Sequence, residues 1–83
     1  MTRKAKRPAM PWPHLQAFIE NGGQLSIGEI YPVTCAAVAA DTDNMYAALV
    51  RRDGESLVDL LHRLDGALDK ALEEEIFTEE IND

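Results

Sequence analysis

Cysteine occurs once in this chain, at position 35. That excludes an intrachain disulfide and suits a reducing compartment. Histidine is almost as scarce: His14 and His62 share no ligand spacing with each other or with Cys35, so no structural metal is expected. Long apolar runs are missing, and no stretch approaches the roughly 20 residues of a membrane span. The first residues are basic like a leader's opening, but Pro8, Pro11, Pro13 and His14 interrupt the apolar core that should follow. A cytoplasmic, untargeted chain is the expectation. With 83 residues it forms one small domain, of a size that buries only roughly 60 % of its unfolded surface. Without disulfide or metal, self-association is the remaining source of added stability.

Catalytic vocabulary is also thin. There is no glycine-rich phosphate loop and no paired-histidine metal motif. Ser26 and Ser56 lack an elbow or lysine-spaced context, and Cys35 has no basic neighbour in sequence. A cysteine within an Ala/Val run reads as a small core residue, and His62 as a solvated one. No enzymatic activity and no cofactor are expected.

Charge is plentiful but one-sided. The net charge is −7, yet Arg3, Lys4, Lys6 and Arg7 crowd the first seven positions. From Pro8 onward only Arg51, Arg52, Arg63 and Lys70 face all fifteen acids. Such a body repels nucleic acid, leaving the N-terminal arm as the only candidate nucleic-acid contact. Residues 1–11 read as a disordered basic arm, residues 12–76 as one α+β domain, and residues 77–83 as an acidic tail.

A short helix is expected from about Pro13, with Leu15, Phe18 and Ile19 on one face. Asn21-Gly22-Gly23 ends it through a left-handed glycine cap. Trp12 reads as a core anchor, with an interface role as the alternative. Gln24–Tyr31 alternates imperfectly before Pro32 and suits an edge strand or loop. Val33–Ala40 and Met45–Arg52 flank Asp41-Thr42-Asp43-Asn44, whose side chains favour a turn. Tyr46 and Arg52 stand where a calcium loop requires glycine and an acid, so the turn reading displaces the metal one. These runs are alanine-rich, and two short helices are the alternative. Their shortness and scattered β-branched residues favour a hairpin or three-stranded meander over about 25–52.

A long amphipathic helix over about 56–75 packs on that sheet. Ser56 is its N-cap, accepting from the backbone of Asp59. Leu57, Leu60, Leu61, Leu64, Ala67, Leu68 and Ala71 make the apolar face. Asp59–Arg63 and Lys70–Glu74 are spaced as i, i+4 ion pairs. Gly66 marks either a close backbone approach or a mild bend. Beyond Leu72 the chain is acidic but carries Ile76, Phe77 and Ile81, so this end is expected to dock on something.

The run Tyr31-Pro-Val-Thr, Asp41-Thr-Asp-Asn-Met-Tyr46 and Asp53-Gly-Glu-Ser-Leu57 resembles the HicB-like antitoxin domain over roughly residues 31–72. That family has an aromatic-proline hairpin opening, an Asp-rich turn and a Ser/Thr-capped helix. Its third strand, with a Pro and Gly signature, is absent between Arg52 and Gly54, so membership does not follow. The resemblance implies only that units of this kind dimerise and hold partners.

The resulting expectation is a small acidic, non-enzymatic interaction or regulatory module of bacterial type, self-associating as a homodimer. Glu73, Glu74, Glu75, Phe77, Glu79 and Glu80 are its candidate protein-partner contacts. Two alternatives stand beside it. One is a nucleic-acid mimic acting through the acidic surface. The other is a DNA-binding regulator using Arg3, Lys4, Lys6 and Arg7.

Overall fold

The computed structural model describes residues 12–81, so the basic arm, with Arg3, Lys4, Lys6 and Arg7, lies outside the described residues. In chain order the elements are α1 (Pro13–Glu20), β1 (Gln24–Ile30), β2 (Val33–Ala40), β3 (Met45–Val50), α2 (Leu57–Glu74) and β4 (Thr78–Glu79). They form one four-stranded sheet in the order β1-β2-β3-β4, as an α+β fold. The first three strands are an antiparallel meander, and β4 runs parallel to β3. No described helix is long and apolar enough to cross a membrane.

Residues 33–40 and 45–50 are strands, not short helices, despite their alanines. Packing explains why. Residues facing each other across a ladder share a sheet face. Ala37 pairs with Leu49 and Ala39 with Ala47, and these four join Leu15, Phe18, Leu60, Leu64, Ala67 and Leu68 in one cluster. The strands supply a low floor of methyl groups, and the leucines of α2 fill the space above it. Large residues on both layers would force them apart.

Local chemistry agrees at the joints. Ser56 Oγ accepts from the Asp59 N–H at 3.0 Å, as its capping position predicts. Asn21 is the C-cap of α1, and Gly22 follows with φ of +96°, a conformation glycine adopts freely. Asp41 Oδ1 accepts from the N–H groups of Asp43 and Asn44, both at 2.8 Å, closing the β2–β3 turn.

Two expectations need correction. The stretch read as a tail from residue 77 instead supplies β4, where Thr78 meets Ala47 and Glu79 meets Ala48. Two residues are too few to show any alternation in sequence. The i, i+4 pairs on α2 do not form among the described residues; Arg63 turns to Glu55 and Glu80. Those carboxylates meet the guanidinium with better geometry than a helix neighbour offers.

The second helix has its special residues reversed. Gly66 sits mid-helix, exposed, with nothing within 4 Å of where a Cβ would stand. A close backbone approach is thus not its role. Glu75, at the C-cap, holds the left-handed conformation with φ of +58° that favours glycine. We expect Gly66→Ala and Glu75→Gly each to stabilise the fold by about 1 kcal/mol, raising Tm by roughly 4–8 °C. Thermal denaturation by circular dichroism checks both, and an unchanged or lower Tm for Gly66→Ala would show that the helix needs its glycine.

Candidate interaction surfaces

Burial is distributed unusually among the described residues. Thirteen apolar side chains are buried, and seven of them are alanine. Meanwhile nine large apolar residues are exposed: Ile19, Ile27, Tyr31, Met45, Leu57, Val58, Leu72, Ile76 and Phe77. The small residues are inside and much of the large apolar surface is outside. On the face turned away from the core cluster Ala36 pairs with Val50 and Val38 with Ala48, an apolar set in which the alanines are buried and the valines half-buried. An antiparallel sheet with one solvated face ordinarily alternates apolar with polar residues.

Most of the exposed residues fall at two ends of α2, which is about 27 Å long. At its C-terminal end lie the finish of α1, the 41–44 turn and residues 75–77. Here Tyr46 stands between Phe18 and Phe77, with ring centroids 5.4 and 6.2 Å apart. Ala17, Phe18, Asn21, Gly23, Asp41, Tyr46 and Leu72 line a recess of about 250 Å³. Asp41 fixes the central ring, because its Oδ2 accepts from the Tyr46 hydroxyl at 2.9 Å. The same carboxylate is held below its ordinary pKa by the N–H groups of Asn44 and Asp43 and by this phenol, whose own pKa is raised in turn. At the opposite end lie the β1–β2 tip with Tyr31 and the first residues of α2, Leu57 and Val58, while the exposed Ile27 lies mid-strand on β1 opposite Ala37.

The structure separates the six candidate partner contacts. Glu73, Glu74 and Glu75 are exposed, and Phe77 is 56 % exposed beside Tyr46. Glu79 is half-buried, and its carboxylate accepts from the Ile81 N–H at 3.1 Å. Glu80 is structural: Oε1 accepts from the Val50 N–H at 2.9 Å while Oε2 meets Arg63 Nη1 at 3.3 Å. Residues missed from the sequence are Leu72 and Tyr46, whereas Ile76 was already singled out with Phe77. The i, i+4 relation of Leu72 to Ile76 was available as a signal, but it runs across the helix end.

Arg63 organises the joint that sets the C-terminal segment in place. Its Nε donates to Glu55 Oε2 at 2.7 Å, and its Nη2 donates to Glu55 Oε1 at 3.0 Å and to the Val50 carbonyl at 2.9 Å. One side chain thereby joins α2, the 51–55 loop, the end of β3 and the residue after β4.

The remaining chemistry-bearing residues do not converge. His62 accepts from Trp12 Nε1 at 3.2 Å, and Trp12 is half-buried against the core, at its rim. His14 approaches Asp69 at 3.7 Å on an exposed surface. Cys35 is half-buried and lines a polar recess with Arg51 and Arg52, bases that sequence spacing did not place beside it. No group of three metal-ligating side chains occurs among the described residues.

Comparison with family profiles, with characterised proteins and with solved structures finds no match. The likeness of residues 31–72 to HicB-like domains thus stays a likeness of turn and cap chemistry, without membership.

The Arg63 joint has a pH signature. The guanidinium, and then the Arg52 N–H, hold Glu55 down from 4.5 to about 2. The folded chain therefore takes up this proton less readily than the unfolded one. The stability from this group is complete above pH 4.5 and is lost as pH falls toward 2. Tm should fall across that window, and Glu55→Gln should flatten the fall while lowering Tm at neutral pH. Asp41 adds a smaller slope of the same sign. An equally steep acid limb in Glu55→Gln, followed by scanning calorimetry, would remove Glu55 as its source.

Proposed function

We propose that this chain is a non-enzymatic protein-interaction module that docks a partner at the end where α2 finishes. The observation that carries the reading is the distribution of burial, in which seven of the thirteen buried apolar residues are alanine while Leu72, Ile76 and Phe77 stand about half exposed. Aromatic and aliphatic side chains clustered on a surface are the usual anchors of protein interfaces. The recess beside Tyr46 would receive one apolar side chain of the partner. Glu73, Glu74 and Glu75 border this patch, so the fitting partner surface is an apolar strip flanked by lysine or arginine. The fixed rings of Phe18 and Tyr46 support the reading, because rigid anchors lose little entropy on binding.

Nucleic-acid mimicry has less support, because several carboxylates serve the fold itself. Asp41 closes a turn, Asp65 Oδ1 accepts from the Leu15 N–H at 2.9 Å, and Glu55 and Glu80 hold Arg63.

Affinity capture from the native cell with three forms of the full chain tests the proposal. Leu72→Ser/Phe77→Ser should lose the captured partner. Replacing Glu73, Glu74 and Glu75 by Gln should weaken capture by about tenfold at low salt without abolishing it. Capture that ignores the apolar double variant but disappears with the Gln triple variant would overturn apolar docking in favour of mimicry. Recovery of nucleic acid lost on deleting residues 1–8 would instead favour a DNA-binding role for the arm.

A further inference from the structure

The outer edge of the sheet offers a different kind of surface. β1 is the outermost strand of the sheet and, among the described residues, is paired only toward β2, so its far side presents backbone groups that no described strand meets. Proteins protect such edges with lysine, proline or bulges. Along Gln24–Gly28 the ladder to β2 is regular and there is no charge and no proline; the irregularity comes only between Gly28 and Ile30. Edge protection thus begins where the useful length of strand ends.

Charge singles out the same element. Residues 24–40, covering β1, the tip and β2, contain a single residue of the charged types Asp, Glu, Lys and Arg, namely Glu29, in a chain of net charge −7. Two copies approaching through the acidic C-terminal end would repel each other, whereas two copies approaching through β1 would not. Ile27, on the core side of β1 opposite Ala37, is 46 % exposed, and no described strand lies beyond the edge to cover it.

We propose that a second copy of this chain pairs along β1, antiparallel, about a twofold axis at Ser26, so that two four-stranded sheets become one of eight strands. A twofold operation makes an antiparallel edge complementary to itself. Register follows from the side chains. With Ser26 facing Ser26 of the other copy, Leu25 meets Ile27 twice, on the helix-covered face, and Gln24 meets Gly28 on the other. Shifting the axis to Ile27 would place Leu25 against Glu29, an apolar residue against an acid. A shift to Leu25 would shorten the pairing. The axis at Ser26 extends the core with two aliphatic pairs, adding bulk beside a sheet face whose β2 residues in the core cluster, Ala37 and Ala39, are small. The proposal deepens the reading of the chain as an interaction module, yet it rests on the outer edge of β1 and needs neither Leu72 nor Phe77, so either can fail alone.

Sedimentation of the full chain from 1 to 500 μM (roughly the range that brackets weak dimers) should show a mass rising from 9.2 kDa toward twice that value. Ile27→Lys should raise the dissociation constant by about tenfold or more by setting lysines into the pairing. Ser26→Cys in a Cys35→Ser background should form an intermolecular disulfide under mild oxidation. Equivalent Cα atoms at the axis would lie about 4.5–5.5 Å apart, within disulfide range. The exposed Ser56→Cys in the same background should not. A mass of 9.2 kDa throughout overturns the proposal. So does a dimer that Ile27→Lys leaves intact and Ser26→Cys fails to cross-link. Partner capture at Leu72 and Phe77 would survive either result.

Discussion

The seating of Leu60, Leu64 and Leu68 on the methyl floor of Ala37, Ala39 and Ala47 is the contact on which the rest of the molecule depends. It fixes the separation of the two layers and the direction of α2 across the sheet. It also limits what the interior can contribute, because an alanine removes little area from water. Close packing here is obtained by making one side small. The consequence is an interior that is tight but low in volume, and a chain whose larger apolar groups are left at its rim.

Arg63 complements that contact at the joint where packing is weakest. The 51–55 loop and the segment after α2 bury little apolar surface, so their positions are held by directed hydrogen bonds. A planar guanidinium with several donors can meet two carboxylates and a carbonyl together, which a lysine could not. This is why Glu80, acidic and near the C-terminus like its neighbours, belongs to the fold while Glu73 and Glu74 face solvent.

Much of the framework was legible in the sequence because it is local. The periodicity of Leu60, Leu64 and Leu68, the cap at Ser56, the turn at Asp41 and the stop at Gly22 each involve residues within a few positions of one another. The strand assignment of Val33–Ala40 was harder, since alanine's intrinsic preference is helical and only the leucines across the core overrule it. What escaped was long-range: the parallel docking of Thr78 and Glu79, and the attraction of Arg63 toward Glu55 and Glu80 rather than Asp59. The candidate surface was half visible. Phe77 and the acids around it stood out, while Tyr46 and Leu72 reach the same recess only through the fold, and nothing in sequence announced that β1 would be outermost.

The shortness of β4 has a bearing on how far assembly can go. A sheet with two long open edges can add strands at both sides and grow without end. Here the side of β3 away from β2 is occupied by a strand of two residues, held by Glu80 through its side chain and through its N–H bond to the Ala48 carbonyl at 2.8 Å. That edge is a stub, too short to template another chain. Among the described residues the sheet therefore offers one long open edge: were two copies to join through β1 as proposed, the pair would be a finished object, with the short β4 at each far side in place of a second edge to extend.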